Sequence, residues 1–197
     1  MAKTLGASGA KERIVQVAAD LMHVQGVAGT SIDEILEASG TGKSQFYHYF
    51  ENKSSLVHEV LSFQFRRYIA AQEPFIEKLT TWKGVRSWLD QLVSQYKARD
   101  LIGGCPLGSL AAEMADRDES LRKEVAAAFR EWEGYLARGL EVLKEGGHLR
   151  KTANCSAMAE TTMAMIQGGY LLANTKKDLG PMQGALDAAY AFLRTFR

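Results

Sequence analysis

Residues 38–56 read Ala-Ser-Gly-Thr-Gly-Lys-Ser-Gln-Phe-Tyr-His-Tyr-Phe-Glu-Asn-Lys-Ser-Ser-Leu. Gly40 predicts the end of one helix and a tight turn. Thr41 is placed to cap a short helix that runs through His48, and Asn52 to cap the next. Within the short helix, Lys43, Ser44, Gln45, Tyr47 and His48 are polar or amphipathic, whereas Phe46 and Phe50 are anchors that belong in a core. A short helix after a tight turn, with an apolar underside and a hydrogen-bonding outer face, is the pattern of the second helix of a helix-turn-helix unit.

The residues upstream complete that unit. Ile14, Val17, Ala18, Leu21 and Met22 recur at helical spacing from Lys11, and Gly26 interrupts the pattern. Ser31-Ile-Asp-Glu34 forms a capping box, in which Ser31 and Glu34 each satisfy the other's free backbone N–H. Ile32, Ile35 and Leu36 supply the buried stripe of this second helix. Residues 1–9 read as a tail.

Downstream, Leu56, Val57, Val60, Leu61 and Phe65 mark a fourth helix running toward Ile69. Further helices are expected at about 84–98, 105–115, 119–145, 153–175 and 182–196 from the same periodicity. Pro106 and Pro181 fall in first helical turns, where proline is tolerated, and Asp118 is placed as a cap. No alternating strand pattern and no internal repeat is present. The expectation is an all-α chain with a head over residues 1–52 and a helical body over 53–197.

Gly40-Thr-Gly-Lys-Ser44 imitates the end of a phosphate-binding loop. The full pattern needs a glycine five residues before Gly42, where Glu37 stands inside a capped helix, and no strand precedes it. An acidic side chain there would also repel phosphate. The nucleotide-loop reading therefore fails.

Hydrophobic residues are 46% and charged residues 24% of the 197, which fits a globular chain rather than a disordered one. The net charge of +1 gives no bulk attraction to nucleic acid. No apolar run is long enough to span a bilayer, and the N-terminal residues lack the core of a signal peptide. Cys105 and Cys155 fit no zinc or disulfide spacing. A cytoplasmic protein without a metal or other cofactor is expected. His23, His48, His58 and His148 are dispersed and joined to no carboxylate pair or nucleophile, so an enzyme is not expected.

With these residues in view, 10–57 resemble the N-terminal domain of the tetracycline-repressor (TetR) family of bacterial transcription regulators. The resemblance rests on Gly26…Thr30-Ser31, the turn at Gly40, the block Lys43…Phe46-Tyr47-His48-Tyr49-Phe50, and Lys53…Leu56. It implies a homodimer of about nine helices per chain, three of them in a DNA-binding head, with a body for ligand binding and dimerisation. It also implies that Lys43, Ser44 and Gln45 face bases, and that Thr30, Tyr47, His48 and Lys53 hold phosphates. Lysine can read guanine edges and glutamine can read adenine through two hydrogen bonds. Gln45 departs from the small residue frequent there in the family, which bears on operator choice. Over residues 1–60, five basic residues meet seven acidic ones, so the head is net acidic and its non-specific affinity should be modest.

For the body, Trp88, Tyr96, Cys105, Met114, Trp132, Met163, Gln167 and Tyr170 are the candidates for a small-molecule pocket, with Glu113 as a further polar contact. Small residues and methionines over 157–173, and Leu186, Ala189, Tyr190, Leu193 and Phe196 in the last helix, fit the four-helix dimer interface that the resemblance implies. Gly103-Gly-Cys-Pro-Leu-Gly108 resembles a segment of one branch of the family, some of whose members place a reactive cysteine nearby. A helix N-terminus lowers a thiol pKa, so Cys105 could serve as a redox or electrophile sensor. The expected function is a ligand-responsive repressor that binds an inverted-repeat operator as a homodimer and is released by a small molecule. The alternatives are a thiol sensor acting through Cys105, or a helical ligand-binding or scaffold protein with little DNA affinity.

Overall fold

The computed structural model describes residues 8–197. The tail expected over 1–9 lies mostly outside the described residues, and its last two residues already belong to the first helix. Ten helices follow in order: α1 (Ser8–Gly29), α2 (Ile32–Ser39), α3 (Lys43–Tyr49), α4 (Lys53–Ala70), α5 (Glu73–Ile76), α6 (Trp82–Lys97), α7 (Pro106–Met114), α8 (Glu119–Glu145), α9 (Cys155–Lys176) and α10 (Gly180–Arg194). Among the described residues there is no strand. The one-turn α5, not anticipated from periodicity, raises the expected nine helices to ten.

Local signals decide most helix ends. The Ser31–Glu34 capping box forms, with the Glu34 carboxylate accepting from the Ser31 N–H at 2.7 Å and Ser31 Oγ accepting from the Glu34 N–H at 3.1 Å. Asn52 caps α4 and Asp118 caps α8, each accepting the N–H three residues on at 2.9 Å. Gly40 closes α2 in the left-handed conformation, at φ 63. That closure corrects the cap of α3. The Thr41 N–H returns to the Leu36 carbonyl at 3.0 Å and its hydroxyl pairs with Ser39 Oγ at 2.7 Å, so Thr41 finishes α2 and Gly42 occupies the N-cap of α3.

In the head, α1, α2 and α3 bury Ile14, Ala18, Ile35, Phe46 and Phe50 together with Leu56 of α4. Two ion pairs tie α1 to α4: Lys11–Glu59 at 2.7 Å and Arg67–Asp20 at 2.8 Å. Helix α4 also packs on α7 and α8, and thereby joins head to body. At the centre of the body the fully buried Gln72 organises three helices. Its Oε1 accepts from Trp88 Nε1 at 2.8 Å and Trp132 Nε1 at 3.3 Å, and its Nε2 donates to the Tyr68 carbonyl at 3.2 Å. A buried amide satisfied on both ends fixes the register of its neighbours, because any slip would strand a polar group. Helices α9 and α10 form the most extensive helix pair.

Candidate nucleic-acid interface and ligand cavity

Helix α3 presents the two faces expected of it. Phe46 and Phe50 are buried, while Lys43, Ser44, Gln45, Tyr47 and His48 are exposed, Tyr47 at 59%. The Tyr47 ring stands edge-on to Phe46, with centroids 5.2 Å apart. Two of the outer side chains have polar intramolecular partners. Lys43 Nζ lies 3.0 Å from Asp33, and Gln45 Oε1 accepts the Gly42 N–H at 3.3 Å. The Lys43 pair is solvated and therefore weak. Gln45 must release its cap to present both ends of its amide to a base.

Thr30 is different. It is fully buried and its hydroxyl donates to the Gly26 carbonyl at 2.8 Å, so its side chain belongs to the packing between α1 and α2 and offers nothing to a phosphate. Small size and a local acceptor explain the burial: a threonine hydroxyl reaches the carbonyl four residues back without distortion. Lys53 is part-buried, and its ammonium donates to the Val27 carbonyl.

Lys53 holds one side of the exit from α1; Glu113 holds the other. This carboxylate of α7 accepts the N–H of Val27 at 2.7 Å and of Ala28 at 2.5 Å. Gly26, just before them, has φ +80, and a Cβ there would stand 2.9 Å from Glu113 Oε2. Glycine is thus required twice, for the backbone and for the carboxylate's approach. Glu113, weighed from the sequence as a polar pocket contact, lines a cavity of about 490 Å³ beside Gly26 and Val27, and there it also clamps body to head.

Helices α7 and α9 enclose an apolar cavity of about 410 Å³. Of the residues expected to line it, Cys105, Gln167 and Tyr170 do so. Trp88, Tyr96, Trp132 and Met163 are buried in the core, and Met114 is half-buried; none of these five belongs to the cavity wall. Phe129, which helical spacing also put forward as a pocket candidate, lines it too, together with Ala111, Ala112, Leu171 and Asn174, which periodicity alone did not single out. The Tyr170 hydroxyl pairs with that of Tyr68 at 2.9 Å, and burial pushes both phenols upward.

Cys105 is the N-cap of α7, with Sγ accepting the Gly108 N–H at 3.5 Å. Its thiol pKa is nevertheless raised, because burial outweighs the hydrogen bonds and the nearby Arg99 charge. The expected activation at a helix N-terminus is therefore overturned by desolvation. Among the described residues no helix is long and apolar enough to cross a membrane.

Residues 14–60 match the family described as bacterial regulatory proteins, tetR family, and residues 81–188 match the C-terminal domain described as transcriptional regulator LmrA/YxaF-like. The chain belongs to the TetR family. It is 30% identical over 175 residues to the HTH-type transcriptional regulator LmrA of Bacillus subtilis (strain 168), covering 87% of this chain and 90% of that one. Its fold is similar to a TetR-family transcriptional regulator from Cytophaga hutchinsonii (TM-score 0.87, 21% identity, 99% and 98% of the two chains). It is also similar to a cysteine mutant of the TetR-family regulator CifR complexed with 26-bp double-strand operator DNA (TM-score 0.77, 19% identity, 94% and 96%). This TetR-family protein is a transcriptional regulator and not an enzyme.

Proposed function

We propose that this TetR-family chain is a repressor that binds an inverted-repeat operator as a homodimer and releases it when a small molecule fills the cavity between α7 and α9. The exposed row Lys43, Ser44, Gln45, Tyr47 and His48, set on a buried aromatic underside, carries the reading. Lys43, Ser44 and Gln45 face bases; Tyr47, His48 and Lys53 hold the sugar-phosphate backbone. Two such helices related by a two-fold axis enter successive major grooves, about 34–36 Å apart. The cavity wall and Glu113 lie on the same helix, so displacement of α7 by a ligand moves the clamp on the exit of α1. The ligand acts only to the extent that it prefers the released conformer.

Selection of bound sequences from a random double-stranded DNA pool tests this reading. An inverted repeat should emerge, and Gln45→Ala should relax preference at one position per half-site. Tyr47→Phe should weaken binding to all sequences alike. Failure to enrich any sequence at low salt, with the protein folded and dimeric, would refute operator binding by the ligand-free form. The buried, up-shifted thiol of Cys105 gives the thiol-sensor reading no support.

A further inference from the structure

A further cavity, of about 360 Å³, includes Pro106 at the start of α7 and shares no wall residue with the α7–α9 cavity. Its apolar wall is Tyr68 and Ala71 at the end of α4, Ala98 after α6, and Pro106. The amides of Gln64 and Gln95, which donate to the Ala19 and Ala71 carbonyls, and two guanidiniums, of Arg67 and Arg99, complete it. The guanidiniums are not equivalent. Arg67 has its counter-charge in Asp20, at 2.8 Å. Arg99 is half-buried and its contacts are neutral: it donates to His23 Nε2 at 3.2 Å and to the Gly104 carbonyl at 3.3 Å, and lies 5.8 Å from the centre of the Tyr96 ring. Among the described residues it forms no ion pair with a carboxylate. A guanidinium has five N–H donors, so several remain for a ligand.

The groups around Arg99 register its charge. After burial it is the larger of two charges that lower His23, and it opposes the burial that raises Tyr68, Tyr170 and Cys105. The cavity therefore joins apolar walls to a partly desolvated positive charge lacking its complement. A neutral apolar molecule would leave that charge unmatched, and a cation would be repelled.

We propose that this cavity binds a small organic acid, its carboxylate paired with Arg99 and its apolar body against Tyr68, Ala71, Ala98 and Pro106. The site is separate from the cavity between α7 and α9. The binding itself does not depend on the regulatory reading, although Pro106 places it against the helix that carries Glu113.

Calorimetric titration of the full-length protein without DNA, using 2-naphthoate and its neutral analogue 2-naphthamide, tests the proposal. The acid should bind about tenfold or more tightly than the amide, the usual advantage of a charge-assisted pair. Arg99→Gln should abolish that preference, and Arg99→Lys should retain part of it. Should Arg99→Gln fail to fold, Ala98→Phe provides the second test, because it fills the apolar wall and should abolish acid binding with Arg99 intact. Equal affinity for acid and amide, persistence of the preference in Arg99→Gln, insensitivity to Ala98→Phe, or no binding to the folded protein at millimolar acid would each overturn it. Operator binding, measured separately, reports on the regulatory reading and leaves this result untouched.

Discussion

His23 shows how a single residue can set a pH limit on this fold. A guanidinium only donates, so the Arg99 contact requires His23 Nε2 to keep its lone pair and places the ring proton on Nδ1. Nδ1 is buried without a partner. Burial first, then the charges of Arg99 and Arg67, lower the His23 pKa from 6.5 to about 4, against a smaller opposing effect of Asp20. The unfolded chain takes up this proton below pH 6.5, whereas the folded chain resists until about pH 4. Stability from the neutral ring is thus full above pH 6.5 and lost progressively down to about pH 4. Between pH 7 and 4.5 the loss should be on the order of 2 kcal/mol. His23→Gln should remove that part of the dependence, as read from urea midpoints at the two pH values. Parallel curves for the two proteins would show that His23 titrates normally. Other residue-scale features divide by range. Ser31–Glu34, Asn52 and Asp118 were legible because a cap and its partner lie within one helical turn. Burial, which depends on distant elements, is what redirected the Thr30 hydroxyl and raised the Cys105 thiol, and no local pattern reports it.

At the scale of helices, order and approximate limits followed from apolar spacing and caps. The one-turn α5 did not, because four residues are too few to show a period. How the helices join was not legible either. The Glu113 clamp spans 86 residues of sequence and the Arg99–His23 contact 76, and neither leaves a local pattern. The clamp makes a definite prediction. Glu113→Gln keeps the shape but removes the charge from two hydrogen bonds, and an amide oxygen accepts less strongly. Global stability should fall by about 1–2 kcal/mol, discounted for partial exposure. The amide protons of Val27 and Ala28 should exchange about tenfold faster, while those in the centre of α8 change only with global stability. Unaltered protection at Val27 and Ala28 would mean that the carboxylate does not hold them in solution, and the proposed route from α7 to the head would lose its link.

At the scale of the whole molecule, the last two long helices bear on assembly. Met158, Met163, Leu186, Ala189 and Leu193, which fit an interface by composition, are buried in the chain's own core. Small residues of the same stretch, Ala157, Ala164 and Gly168, stay outside that core with others. On α9, Ala157, Glu160, Thr161, Ala164, Leu171, Leu172 and Thr175 are exposed, with Gly168 half-buried among them. On α10, Gly184, Ala188 and Ala191 are exposed. The spacing of three, four and seven residues puts each set along one helical face, where small side chains permit close approach. Leu171 and Leu172 remain 66% and 48% exposed, and two adjacent leucines on such a face have apolar area to bury. A two-fold axis through this face would use every contact twice. Leu172 lies outside the wall of the α7–α9 cavity, so it separates assembly from ligand binding. Leu172→Arg should introduce one buried charge per subunit at the axis and lose about 1.5–3 kcal/mol of apolar burial at each copy. Sedimentation at micromolar concentration should then show monomers with unchanged helix content, and affinity for an inverted repeat should fall to that of a half-site. A dimer that survives Leu172→Arg would place the two-fold axis on another face.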